Sequence, residues 1–254
     1  MTTALITGGT AGIGRAFADR FARDGYRLVL VARDEERLKS AARELLDLGA
    51  PDVAVLSADL ITTEGRAAVE ARLADAEHPV DILVNNAGFG LRTSFRKTSI
   101  EDEEAHLDIH VRATMRLTHA ALPGMTARGH GAVINVASVS AFVPRGTYSA
   151  AKAWTVSFTE SLAVELRGTG VRAMALCPGF TRTEFHSGNQ LATDGIPGWM
   201  WLEAPAVVDA AIRDLRRGVP VSIPGAQYKA LMAASRYTPR TLRTRISRGM
   251  SKRW

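Results

Sequence analysis

TALITGGTAGIG, residues 3–14, decides the fold. A short β-branched and apolar run ends in glycines at 8, 12 and 14, and a helix-like stretch occupies residues near 13–23. In that setting Gly8 permits a tight turn, Gly12 lets the backbone approach a pyrophosphate, and Gly14 lets a helix pack closely on the strand. The unpaired N–H groups of the helix's first turn then face the anion. A glycine-rich turn alone would be a weak signal. The strand before it and the helix after it point to a dinucleotide cradle built from Gly8, Thr10, Ala11, Gly12, Ile13 and Gly14.

The same alternation continues along the chain. Apolar runs at 27–32, 52–57, 80–85, 132–138, 171–177 and 220–223 are separated by helix-like stretches near 35–48, 63–76, 101–126, 149–167 and 205–217. Several of the runs lack polar alternation, as parallel strands covered on both faces do. The expectation is a single-domain α/β fold, a doubly wound, Rossmann-type parallel sheet of about seven strands with helices on both faces. Residues 1–224 form that domain, and 225–254 form a basic C-terminal extension of it.

Composition narrows the class. Of 254 residues 46% are hydrophobic, enough for a large core. The single cysteine, Cys177, rules out an intramolecular disulfide and a cysteine-rich metal site, and no metal is expected. The net charge of +6 is concentrated in residues 225–254, which carry eight Lys or Arg and no acid. The remainder, with 24 basic and 26 acidic residues, is nearly neutral, so nucleic-acid binding is not expected. The opening MTTALITGGT lacks a charged segment leading a long apolar run, so neither a secretory signal nor a membrane span is expected and a cytoplasmic location is.

Four further stretches carry chemistry. LVLVARDEERL, 28–38, closes its strand on Arg33, where an arginine can bind a 2′-phosphate that a carboxylate would repel. Asp34 suits the N-cap of the following helix. ADL, 58–60, and NNAG, 85–88, lie at strand ends, where ligands collect in such sheets. Asp59 is placed to accept from an adenine amino group, beside Leu60. Asn86, Ala87 and Gly88 would wall the cofactor. In GTYSAAKAW, 146–154, Tyr148 and Lys152 are one helical turn apart among small residues.

The ordered set TGGTAGIG, NNAG, Ser138, YSAAK and PGFTRT resembles the short-chain dehydrogenase/reductase family over nearly the whole chain. The resemblance implies a nicotinamide cofactor and reversible hydride transfer between an alcohol and a ketone or aldehyde. With Arg33 it favours NADP over NAD. It implies that Tyr148 is the acid/base, that Lys152 lowers its pKa and binds the nicotinamide ribose, and that Ser138 orients the substrate oxygen. A free tyrosine titrates near pH 10, and a neighbouring cation lowers that value. Pro178 and Gly179 would line the nicotinamide side, with Thr181 and Thr183 bonding its carboxamide or a phosphate. Cys177 reads as a buried small residue rather than a nucleophile.

Two features depart from the family's pattern. In DIHVRA, 108–113, His110 stands where the family usually has an asparagine that helps hold a water. An imidazole can hold a water too and would add a pH dependence near 6.5, or it can simply pack. Ser138 and Tyr148 are also only ten residues apart, a shortened loop at the substrate mouth.

Residues 184–204 correspond to the family's substrate lid. Phe185, Trp199, Met200, Trp201 and Leu202 make it apolar, and Gly188, Gly195 and Gly198 would let it move, which favours an apolar or acyl-type carbonyl substrate. In the tail Leu231, Met232, Tyr237, Leu242 and Ile246 lie among basic residues, a pattern compatible with peripheral membrane contact, with folding over a neighbouring subunit, or with a solvated end. Relatives are commonly dimers or tetramers, so a homo-oligomer is expected. The rival readings are a cofactor-binding regulatory protein with little turnover and a membrane-associated lipid carbonyl reductase.

Overall fold

The structure, a computed structural model, describes residues 1–91, 93–144, 146–184 and 195–236. The chain begins β1 (Thr3–Thr7), α1 (Gly12–Arg23), β2 (Arg27–Ala32), α2 (Glu35–Asp47), β3 (Val53–Ser57), α3 (Thr63–Ala74) and β4 (Ile82–Asn85). It continues through α4 (Ile100–Leu107), a π-helical turn (Asp108–Arg112), α5 (Ala113–Arg128), β5 (Gly131–Val136), α6 (Gly146–Glu165) and β6 (Val171–Leu176). Two-residue strands β7 (Thr181–Arg182), β8 (Leu202–Glu203) and β9 (Val221–Ser222) follow, with helices α7 (Ala204–Arg216) and α8 (Ala226–Arg236).

Seven strands form one parallel sheet in the order β3-β2-β1-β4-β5-β6-β9. Strand order reverses between β1 and β4, so a crevice opens beyond their carboxyl ends. The expected seven-stranded doubly wound fold is therefore present. Successive residues of each inner strand feed opposite layers. Ala4 and Ile6 of β1 and Leu28 and Leu30 of β2 pack with Phe17, Phe21, Leu38 and Val208 on one face. Leu5, Val29 and Val31 pack with Val69, Leu117, Met125 and Leu162 on the other. That is why these strands read as unbroken apolar runs. Each large side chain buried there stabilises the fold by about 1.5–3 kcal/mol.

Helix starts follow their caps. Asp34 accepts from the Arg37 N–H, as expected, and Thr62 and Ser99 cap α3 and α4 in the same way. Behind the crevice a buried polar chain ties α5 and α6 to the sheet. Asn85 donates to Asn135 Oδ1 (2.8 Å) and Thr118 Oγ1 (3.1 Å), and Asn135 donates to Thr159 Oγ1 (2.9 Å). Among the described residues no helix is long and apolar enough to cross a membrane.

One expectation is revised. The helix expected over 101–126 is α4 and α5 joined by the π-helical turn. The extension expected to start at 225 begins as helix α8, with Tyr228 (1% exposed) and Met232 buried. Tyr237, Leu242 and Ile246 of that extension lie outside the described residues, as do Phe185 and Gly188.

Candidate active site

The glycines of the first turn are needed for three different reasons. Gly8 has φ +66° and donates its N–H to Val31 O at 2.8 Å. Gly12 has φ +57°, and a Cβ on it would sit 3.2 Å from Thr183 Cβ. A Cβ on Gly14 would fall 2.2 Å from Gly8 O. The backbone of α1 is thus pressed onto the turn. Ala11 gives α1 no side-chain cap. The first-turn N–H groups stay free of a competing side chain, as an anion site requires. Thr183 lies over this turn.

NNAG holds the turn rather than facing a ligand with its side chains. Asn86 Nδ2 donates to Thr7 O (3.0 Å) and Gly8 O (3.2 Å), and Thr7 Oγ1 accepts from the N–H groups of Asn86 and Ala87. Gly88 is bare because the His110 ring needs its place: a Cβ there would meet His110 Cε1 at 2.3 Å. Asp59 is half-buried with Oδ1 bonded to the Ile61 N–H, and Leu60 is buried. Arg33 is exposed at the end of β2, and it makes no ion pair among the described residues. Arg37, one helical turn on, pairs with Glu184 at 3.1 Å.

Ser138, Tyr148 and Lys152 converge beyond β5. Ser138 lies two residues past β5 in extended backbone, capping the 3₁₀ turn Val139–Phe142, its Oγ accepting from the Ser140 N–H at 3.1 Å. It is also hydrogen-bonded to the Tyr148 phenol. Lys152 is buried (6% exposed), donates from Nζ to Val136 O at 2.7 Å, and stands 5.7 Å from the Tyr148 ring centroid. Burial brings its pKa down from 10.5 to about 8.

In the protein alone the tyrosine is shifted upward, whereas the lowering was expected from Lys152 and an oxidised nicotinamide together. Tyr148 is half-buried, and the desolvation of its hydroxyl pushes its pKa up to about 12, against the lowering effect of Ser138. The physical reason is placement: the ammonium lies over the ring face and bonds a carbonyl, so desolvation outweighs it. In the protein alone Tyr148 is therefore a firmly protonated phenol. Cys177, fully buried, is likewise pushed up to about 12 by burial, which makes it an inert thiol, as its reading as a small buried residue implied.

His110 lies against Tyr148, ring centroids 5.5 Å apart and planes nearly perpendicular at 87°. Its Nε2 must donate to Phe89 O at 2.7 Å, since a carbonyl only accepts, and Nδ1 is buried without a partner. Sequence reasoning missed its neighbour. His106 is fully buried, 4.4 Å from the His110 ring and 6.0 Å from Tyr148, with neither nitrogen bonded. The spacing HLDIH carried the signal, and the π-helical turn between the two residues accompanies their ring contact. Burial and the Lys152 cation take His106 down to about 4 and His110 well below its ordinary value. Of the two readings open for His110, the packed one is favoured over titration near 6.5: both rings stay neutral beside the lysine.

The remaining predicted residues divide. Pro178 O accepts from the Val139 N–H at 3.0 Å, closing the mouth beside Ser138. Thr181 is buried with its hydroxyl committed to Gly179 O, so only Thr183 faces the glycine cradle. Gly179 is packed beneath Tyr228. Trp201 lies against Phe180 and under the Arg182 guanidinium, Leu202 packs on the core, and Trp199 is 67% exposed.

These residues fit a dinucleotide. The turn at Gly12 faces Thr183 with no side chain of its own, the first turn of α1 has no side-chain cap, and beyond β5 the buried Lys152 cation is bonded to the Val136 carbonyl. A parallel sheet with that cradle at its switch point and a serine, a phenol and an ammonium meeting one strand away defines a dinucleotide-binding oxidoreductase of the α/β class. More narrowly, the chain belongs to the short-chain dehydrogenase family, whose model matches residues 2–193. Oxidoreductase UcpA of Escherichia coli strain K12 is 40% identical over 185 residues, covering 71% of this chain and 70% of that protein. A short-chain dehydrogenase from Sphingobium yanoikuyae, solved in complex with NADPH, is 35% identical with a TM-score of 0.84, over 93% of this chain and 94% of that one. The bulky-bulky ketone specific alcohol dehydrogenase from Comamonas testosteroni is 31% identical with a TM-score of 0.80, over 93% and 92%.

Proposed function

We propose that this chain interconverts a bulky apolar ketone and its secondary alcohol with NADP(H). The convergence of Ser138, Tyr148 and Lys152 carries the reading. The NADPH-bound Sphingobium relative and the ketone-specific Comamonas relative support its cofactor and substrate class. So do the exposed guanidinium of Arg33 beside the cradle and the aromatic packing around Phe180 and Trp201.

NADPH would lie across the Gly8–Gly14 turn and supply the hydride. With a pKa pushed up to about 12, Tyr148 holds its proton at neutral pH and gives it to the carbonyl oxygen. Ser138 donates to the same oxygen and orients it. The phenolate left behind is stabilised by the Lys152 ammonium over the ring and by the Ser138 hydroxyl. The His106–His110 pair stays neutral beside the Lys152 ammonium. In the reverse direction the same phenolate takes the alcohol proton.

Loss of NADPH absorbance with aryl ketones tests the activity, and Tyr148→Phe tests the assignment. The variant should lose about 10²–10⁴-fold in kcat while binding NADPH with unchanged Kd. Binding without turnover of any ketone by the unmodified chain would return the protein to a cofactor-binding role. Exposed Leu107, Met115 and Val164 on α4–α6 support a homo-oligomer packed through those helices. Light scattering that finds a monomer would refute that assembly.

A further inference from the structure

Helix α8 follows the residues matched by the family model and was legible in the sequence only as the start of a basic extension. Its Tyr228 is 1% exposed. The hydroxyl accepts from the Phe180 N–H at 2.9 Å and donates to Met200 O at 2.7 Å. One side chain thereby joins two backbone segments 20 residues apart in sequence, both at the feet of β7 and β8. Those strands pair Thr181 with Leu202 and Arg182 with Glu203, and the Leu202 N–H bonds Phe180 O at 2.8 Å.

The ring beneath the hydroxyl is equally committed. It lies on Gly179, where a Cβ would come within 1.9–2.4 Å of three ring carbons. Helix α8 also packs on the 3₁₀ turn Val139–Phe142 that follows Ser138. Helix α8 thus reaches three segments, the turn after Ser138, the strip Gly179–Thr181 and the strip Met200–Leu202, and Tyr228 itself joins the last two. A phenol suits the place because it both accepts and donates. Phenylalanine would fill the same volume and leave one buried N–H and one buried carbonyl without this partner. Burial raises the Tyr228 pKa, so the hydroxyl keeps the proton it donates to Met200.

We propose that Tyr228 is a positioning residue for substrate selection, fixing the strips Gly179–Thr181 and Met200–Leu202 against each other and so setting the width of the ketone mouth. The inference rests on the ketone reductase reading above. It concerns discrimination between ketones and leaves the hydride and proton steps untouched.

Tyr228→Phe in the full chain tests it, with kcat and KM for cyclohexanone and for butyrophenone, NADPH Kd by fluorescence, and a melting curve. Expected are an NADPH Kd and a cyclohexanone kcat within about twofold of the unmodified chain, and a butyrophenone KM raised about tenfold, so that the ratio of the two kcat/KM values moves about tenfold. Gly179→Ala, which displaces the ring but keeps the hydroxyl, should move the ratio in the same direction. If both variants melt earlier but keep the ratio, Tyr228 is a structural residue only and the inference is overturned. If the unmodified chain turns over neither ketone, the functional reading falls and this one with it. Ketone turnover with a ratio insensitive to Tyr228 removes this inference alone.

Discussion

Replacing Lys152 by methionine should stabilise the cofactor-free protein at pH 7 while abolishing turnover. Burial takes the Lys152 pKa from 10.5 to about 8. Each pKa unit is worth about 1.4 kcal/mol, so the charged ammonium destabilises the fold by about 3 kcal/mol well below pH 8. The sign follows from proton uptake. Between about pH 8 and 10.5 the unfolded chain binds this proton and the folded one does not, so stability rises with pH across that window. About 3 kcal/mol at pH 7 falls to about 1 kcal/mol at pH 10. Methionine keeps the apolar stem but leaves Val136 O without the 2.7 Å bond, which costs about 1–3 kcal/mol at every pH. The expected net gain at pH 7 is then about 1–2 kcal/mol, turning into a loss by pH 10. Tyr148 and Cys177, both pushed up to about 12, weaken the fold at high pH in both proteins and cancel in the difference. Urea unfolding of both proteins at pH 7, 8.5 and 10 reads the effect. The decisive quantity is the change in the difference between pH 7 and 10, about 2–3 kcal/mol, which does not depend on the Val136 carbonyl. A difference flat across that range would refute the claim that burial destabilises the ammonium.

The other expectations are narrower. Arg33→Asp should move the ratio of kcat/KM values for NADPH and NADH about 10–100-fold toward NADH, the worth of a charge-assisted phosphate contact. An unaltered ratio would hand phosphate reading to another residue, Arg37 being the nearest in sequence once it leaves Glu184. His110→Asn should leave the pH–rate profile between 5.5 and 7.5 unchanged in shape, because burial holds both histidines well below that range. Loss of an ionisation near 6.5 in the variant would show that one imidazole does gain a proton there.

The sheet was readable because parallel strands buried on both faces leave continuous apolar runs, and the first glycine turn, Asp34 and the Ser138–Tyr148–Lys152 set are local patterns with local causes. Three things were not readable, each for a reason of its own. Strands β7 and β8 are two residues long, too short to show any period. His106 stands four residues before His110, so the spacing put both on one helix face, but nothing local announced that the two rings would be buried together beside Tyr148. Tyr228 sits at the start of a stretch rich in basic residues, where charge obscured its burial although Met232 stood out as apolar. The upward shift of Tyr148 in the protein alone was not readable either, because spacing gives proximity to Lys152 but not which part of the phenol the cation meets.

The bare α-carbon of Gly88 and the imidazole of His110 occupy one shared volume. That makes the two positions epistatic: a methyl group at 88 is excluded while the ring is present, yet the ring can be exchanged for a smaller group with glycine still in place. Laboratory evolution that reshapes this side of the pocket therefore has a permitted order, position 110 first and position 88 second. A library that varies 88 alone would sample almost nothing but failures.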